Sequence, residues 1–377
     1  MNTALPETTT ITHLHPVGSF NLDDHPVPTG KEEVWRFTPT NQISDFFDAT
    51  LTRESLEVRA EGAEVGTLGL GQVPRGTVLI PVDRTAAIAA AVPSAGYLMI
   101  DSEVPEPIRV VVSGDDATTP TAGHLVIEAK PNSSATVLLT HTGLARHIGN
   151  VEILVGEGAH LTVVSIQDWD RGTVHLGQHE ALVAKDATYR HIAVSLGGDI
   201  VRLVNNVSFA SEGGDVELFG VYFGEAGQHL EHRLFIDHNH PKGVSHVDYR
   251  GALQGEKARS VWVGDVLIRP EALGIETYES NKNLILTDGC RADAVPNLEI
   301  ETGQIVGAGH SASTGRFDDE QLFYLKSRGI PEEEARRLVV RGFFSTILNK
   351  IGVEDVETTL MARIDKELTL RPEDTPR

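Results

Sequence analysis

The sequence predicts a mainly β chain: a β-helix core with a mixed N-terminal region before it and a helical C-terminal domain after it. Three observations carry that expectation. Short β-prone runs follow one another from about 106 to 305, among them IRVVVSG, GHLVIEA, SATVLLT and HLEHRLFI, separated by Gly, Asp, Asn or Pro. No helical period of useful length lies between them, which argues an all-β layout. A turn, a small residue and a strand recur at SSA (133–135), EGA (157–159), KDA (185–187) and EGG (212–214). The third residues are spaced 24, 28 and 27 apart, the rung period of a solenoid rather than the rhythm of a sandwich. From Phe317 onward the pattern turns helical. A β-sandwich or a cupin-like barrel remains the alternative for the β region.

In chain order, residues 1–30 are rich in Thr, Pro and His and read as a mobile N-terminal arm. Residues 31–105 read as an α/β region with a helix over Ile43 to Leu51 and a strand-like piece over Gly76–Val82. The alanine-rich stretch from Thr85 to Ile100 is broken by Pro93, so it reads as a buried helix or turn rather than a membrane span. Residues 106–316 form the β-helix, with Val137/Leu139 and Leu161/Val163 alternating toward its interior. Its open ends need a cap or a partner chain.

Residues 317–377 form the helical domain. FDDEQLFYLKSRG ends at Gly329, a helix stop. Pro331 opens a second helix with Glu332–Glu334 in its first turn and a stripe of Ala335, Leu338, Val339, Gly342, Phe343, Thr346 and Ile347. A third helix carries Val353, Val356, Leu360, Ile364 and Leu368.

The net charge of −22 sets aside nucleic acid and anionic membranes as partners. The N-terminus lacks the basic start and apolar run of a secretory signal. One cysteine, Cys290, means no internal disulfide and fits a reducing cytoplasm. It also excludes a zinc or iron–sulfur site built from this chain's thiolates alone. GxxxxGK[ST], GxGxxG and GxSxG are all absent.

Two local groups suggest chemistry. His229, His232, His238, His240 and His246 crowd one stretch and could ligate zinc or iron, as in a metal-dependent small-molecule enzyme. Their irregular spacing favours core-lining or exposed imidazoles instead. Asp168, Trp169 and Asp170 would suit a carbohydrate-active β-helix enzyme, against a chain that is only 6% aromatic.

The stretch VPNLEIETGQIVGAGHSASTGRFDDEQLFYLKSRGIPEEEARRLVVRGFF, Val295 to Phe344, resembles the signature end of the SufB/SufD family. HRLFIDHNHPKGVSHVDYRGALQGEKARSVWVGDVLI resembles the family's core, ESNKNLIL its next rung, and KEEVWRFTP at 31–39 its N-terminal Trp-Arg motif. The likeness is strong over about 228–345 and weaker over 40–120.

The resemblance implies a right-handed parallel β-helix and a non-catalytic scaffold for iron–sulfur cluster assembly. In that family a SufB-like and a SufD-like chain pair side by side, and each docks a SufC-like ABC-type ATPase through its C-terminal helices. SufB-like chains carry a sulfur-accepting cysteine where alignment on DGCRADAVP places Asn281, and the chain is short for SufB, so the likeness points to the SufD side. His310 matches a histidine that faces the SufB partner and helps hold a nascent cluster. Family members often carry a cysteine two residues earlier, where this chain has Ala308. The implied cargo is a transient cluster shared with the SufB-like partner; none would be held stably by this chain alone, and isolated chains are open to forming a homodimer. For the ATPase dock, Tyr324 and Phe344 fall off the helical stripe with Arg336, Arg337 and Arg341 nearby, a composition suited to interface anchors. Packing of both aromatics against the third helix is the alternative.

Overall fold

A computed structural model describes Leu14 and residues 17–48, 56–316 and 319–368. The core is a parallel β-solenoid, and its corners follow directly from the sequence repeat. Each rung must reverse direction in a few residues, and most corners hold a residue in the left-handed region. Along one edge these are Asn132, Gly158, Asp186, Gly213, Lys242 and Gly274. Gly158 and Gly213 take this conformation without a Cβ penalty. Corners also bond to one another, as Gly158 N–H does to the Lys185 carbonyl (2.9 Å) and Gly213 N–H to that of Pro241 (3.1 Å). The repeat seen at SSA, EGA, KDA and EGG is this stack of corners.

The strands form two ladders joined by one long strand. β1 (Glu57–Glu61), β2 (Val65–Gly69) and β3 (Ser94–Ile100) lead in, followed by the 22-residue β4 (Ile108–Ala129) and β5 (Ser134–Val155). One ladder stacks β6 (His160–Trp169), β8 (Thr188–Ser195), β10 (Asp215–Gly224), β12 (Val244–Leu253), β14 (Glu276–Ile285) and β16 (Gly307–Arg316). The other stacks β7 (Val174–Val183), β9 (Ile200–Phe209), β11 (His229–His238), β13 (Arg259–Ile268) and β15 (Arg291–Ile300). β1 pairs β4 antiparallel, and every pairing among β4 to β16 is parallel. Rungs take 26 residues where Ser134 pairs with His160 and 32 where Val244 pairs with Glu276. Val137, Leu139, Leu161 and Val163 face the interior as the alternation predicts, and all are buried.

Both outer faces are covered. Trp35, Phe46 and Phe47 pack with Ile148, Leu176 and Ile200 on the β7/β9 side. There the Trp-Arg segment is fixed by charge: Arg202 lies 4.1 Å over the Trp35 ring, and Thr38 donates to the buried Glu231 carboxylate at 2.8 Å. On the β6/β8/β10 side, Val164, Ile192, Val194, Phe219 and Val221 are covered by α3 (Glu332–Leu348) and α4 (Glu354–Glu367). A short α1 (Arg84–Ala90) precedes β3, and α2 (Asp319–Ser327) follows β16.

Several expectations change. Residues 1–13 of the expected arm lie outside the described residues, but from Ser19 the chain is tied down, with Ser19 N–H on the Pro81 carbonyl and Arg84 on the His25 carbonyl. The helix expected over Ile43–Leu51 is two short 3-10 turns, Thr40–Gln42 and Ser44–Phe47, and its end falls outside the described residues. Gly76–Val82 is not a strand; Glu152 accepts the N–H groups of Gly76 and Val78 (2.7 Å each) and holds this segment as a loop. Thr85–Ile100 divides into α1 and β3.

The stripe on α3 is rotated. The residues that reach the core are Ala335, Val340, Phe344, Ile347 and Leu348, while Leu338 is exposed. Phe344 is therefore no exposed anchor: it is 0% exposed, in one cluster with Phe219, Val221 and α4. The helix serves the sheet, α2 and α4 at once, so a single-period stripe mislocates its buried face. On α4, Val356, Leu360 and Ile364 are buried as expected.

Because Phe344 joins α3 to the solenoid, Phe344→Ala is expected to cost about 3–5 kcal/mol through loss of contacts and a cavity. Denaturant unfolding of wild type and variant measures this; a loss within about 0.5 kcal/mol, the range of surface changes, would contradict the packing.

Candidate functional site

The register builds the site. Parallel pairing stacks Val137, Val163, His191, Leu218, Val247, Glu279 and His310 in one inward column along the β6-to-β16 ladder. The column is mostly aliphatic until its last two rungs, where it becomes an acid and an imidazole. β15 and β16 are the outermost strands of the two ladders, each paired on one side only. Their residues are half-buried or exposed, so the solenoid interior reaches solvent here.

Glu279 is 1% exposed at its side chain, and neither carboxylate oxygen has a hydrogen-bond partner. Burial pushes its pKa up to about 8, with the negative charge of Asp265 adding to the effect. Opposite lies Gly264, where an added Cβ would collide with Glu279 Oε2. His310 Nδ1 is 3.8 Å from Glu279 Oε1, and its side chain is 44% exposed. That separation is too long for a hydrogen bond. Asp265 is engaged, accepting from Asn297 Nδ2 at 2.6 Å.

Asn281 lies on the same strand inside the solenoid, fully buried. It donates to the Tyr222 hydroxyl (2.9 Å) and accepts from Asn283 (2.7 Å). Cys290 is half-buried at a corner, its Sγ 3.3 Å from the Gly255 carbonyl. Burial raises its pKa, which keeps it a thiol rather than a nucleophilic thiolate. Ala308 is partly buried against the interior core.

The helical candidates divide. Tyr324 is 57% exposed, with Arg328 5.1 Å over its ring. Arg336 is largely buried and pairs with Glu332 (3.1 Å), Arg337 pairs with Glu333 (2.9 Å), and Arg341 with Asp365 (3.5 Å). Phe323, 74% exposed, was not singled out from sequence. Its signal was present: Leu322 and Leu325 face inward at a three-residue spacing, and Phe323 lies off that pair.

The histidine-rich stretch does not converge. His232 bonds Ser195 Oγ (3.0 Å), His238 bonds Ser245 Oγ (2.9 Å), and His246 is exposed. Among the described residues no three His, Cys, Asp or Glu are arranged to hold a metal ion. Trp169 is buried and donates to Gln167 (2.9 Å), so it presents no ring to a sugar, and Asp168 pairs with Arg363 (3.2 Å) on α4. Among the described residues no helix is long and apolar enough to cross a membrane.

Residues 111–343 match the profile described as "SUF system FeS cluster assembly, SufBD core domain". The chain belongs to the SufB/SufD family. It is 48% identical over 365 residues to an iron–sulfur cluster assembly SufBD family protein of Mycobacterium leprae, covering 93% of each chain. It is 27% identical over 295 residues to a protein of Bacillus subtilis named iron–sulfur cluster assembly protein SufD, covering 75% of this chain and 66% of that one. Against the SufD of Escherichia coli it is 26% identical over 262 residues, covering 68% and 61%. The matched span of this SufB/SufD chain begins in β4 and ends in α3, so it includes the end rung and Glu279.

The buried Glu279 sets a pH dependence. Its folded pKa, about 8, lies above an unfolded value near 4.5, so the two states ionise at different pH. Below about 4.5 it is neutral in both; as pH rises toward 8 only the unfolded state ionises, and stability falls; above about 8 the loss is complete. Relative to Glu279→Gln, the wild type should lose melting temperature between pH 5 and pH 8 and then level off. Parallel pH profiles for the two proteins would contradict a carboxyl whose pKa is raised by burial.

Proposed function

We propose that this chain is the SufD-type subunit of an iron–sulfur assembly scaffold, without catalytic turnover of its own. Its end rung pairs with a SufB-like chain, and its C-terminal helices dock a SufC-like ABC-type ATPase. The observation that carries this reading is the inward column that turns from aliphatic to Glu279 and His310 at an unpaired end of the solenoid. One free imidazole and no nearby thiolate make an incomplete ligand set, which suits cargo shared across an interface rather than a resident cluster. The relatives named SufD and the presence of Asn281, which cannot carry a persulfide, favour the SufD side. A single half-buried thiol agrees with a reducing cytoplasm.

The ATPase dock is placed on the exposed side of α2 and α3, with Phe323, Tyr324 and Leu338 as its apolar centre. Phe344 is not part of it. Deleting the helices is a poor test, because α3 and α4 cover an apolar face of the solenoid. Point variants avoid that problem. Co-expressed with a SufB-like chain and an ABC-type ATPase, the wild type should co-purify with both, and Phe323→Asp with Tyr324→Asp should lose the ATPase alone. Retention of the ATPase by the double variant would move the dock elsewhere.

His310→Ala should leave the yield of the assembled complex unchanged and slow cluster formation on it, followed by the visible absorbance of the cluster. An unchanged rate would return His310 to an ordinary edge residue. Reconstituted alone, the chain should lose its iron to a chelator.

A further inference from the structure

We propose that Glu279 is a positioning residue for His310: an oxygen of its buried carboxyl group accepts the Nδ1–H of the imidazole and leaves Nε2 free to meet an iron of the cargo. This rests on the reading of His310 as a cluster-contacting residue. The two residues are register partners on the last two rungs of one ladder, so their side chains stack by the geometry of the fold. Nδ1 is the ring nitrogen that approaches the carboxylate, at 3.8 Å from Oε1. A small rotation of the half-exposed ring closes that distance to a hydrogen bond.

Among the described residues, no polar group hydrogen-bonds the Glu279 side chain. Both oxygens are buried and unpartnered, a state that interiors hold rarely and at a cost. Gly264 across the interior leaves the space the carboxylate fills. The neighbouring Asp265 is held by Asn297 and does not compete for the imidazole. Metal-binding imidazoles commonly give their second N–H to a carboxylate, which fixes tautomer and ring orientation.

The test uses the full chain with 15N-labelled histidine. Ring 15N shifts of His310, assigned by the signal lost in His310→Ala, are read at pH 9. The wild type should favour the Nδ1–H tautomer. Glu279→Leu should revert to the ratio of a free exposed imidazole, and Glu279→Gln, whose amide oxygen still accepts, should keep the wild-type ratio. Glu279→Leu replaces the buried carboxyl with an apolar group of similar volume, and the remaining histidine signals report that its fold is retained. A tautomer ratio unchanged in Glu279→Leu overturns the proposal.

In the assembled complex, Glu279→Leu should slow cluster formation on the order of 10- to 100-fold, with Glu279→Gln near wild type. A wild-type rate in Glu279→Leu while His310→Ala is impaired also overturns it. If His310→Ala is without effect but the tautomer shift stands, the scaffold role of His310 fails and the Glu279–His310 pair survives.

Discussion

Parallel stacking in register is the constraint on which this molecule depends. Once Ser134 pairs with His160 and His160 with Thr188, each side chain sits above the residue at the same place one rung earlier. Interior and exterior are then assigned for every strand at once, because a slip by one residue would turn every side chain to the opposite face. The corners enforce it. Left-handed residues at most corners, several of them bonded to the next corner, resist sliding. Strand lengths can stay at ten residues while rungs lengthen, because the extra residues go into corners.

The same register produces two apolar outer faces, and these decide what the flanking regions are. The N-terminal segment is pinned to one by Trp35, Arg202 and the buried Glu231, where Arg202 and Arg233 offset the cost of the carboxylate. Its pKa is lowered to about 2, since the hydrogen bond from His229 and these positive charges outweigh burial. α3 and α4 seal the other face, so the helical region is part of the structural core as well as a candidate partner surface. That dual role explains why its buried residues are shared between the sheet and a second helix.

What was legible in the sequence follows from which interactions are periodic. The corner repeat was visible because left-handed positions select Gly, Asn and Asp. The Val137/Leu139 alternation was visible because one face of each strand is uniformly apolar. α4 was read well because its buried residues form one stripe, Val356, Leu360 and Ile364. Phe344 departs from the single stripe because α3 packs on the sheet, α2 and α4 at once. The 31–105 region was misread where single polar contacts, such as Glu152 on the Gly76 and Val78 amides, overrule local pattern. Resemblance points to His310; nothing local in the sequence points to Glu279. Its meaning exists only across rungs, since Val247 and Glu279 become equivalent positions only when β12 lies beside β14.

That equivalence also explains why the polar pair sits where it does. A carboxyl in the middle of the column would be enclosed by rungs on both sides, with aliphatic neighbours such as Leu218 and Val247 and no access to solvent or a partner. At the next-to-last rung, it has one aliphatic neighbour below and an imidazole above that water can reach. The cost of burying it falls at an edge, where rungs contribute least to the cooperativity of a stack stabilised by nearest neighbours. The open end of the solenoid is thus the place where this fold can carry unsatisfied chemistry with the least loss of core stability. It is also the place where unpaired strand edges give a second chain a backbone to meet. The polar pair and the unpaired strand edges coincide there for one reason: both belong where stacking stops.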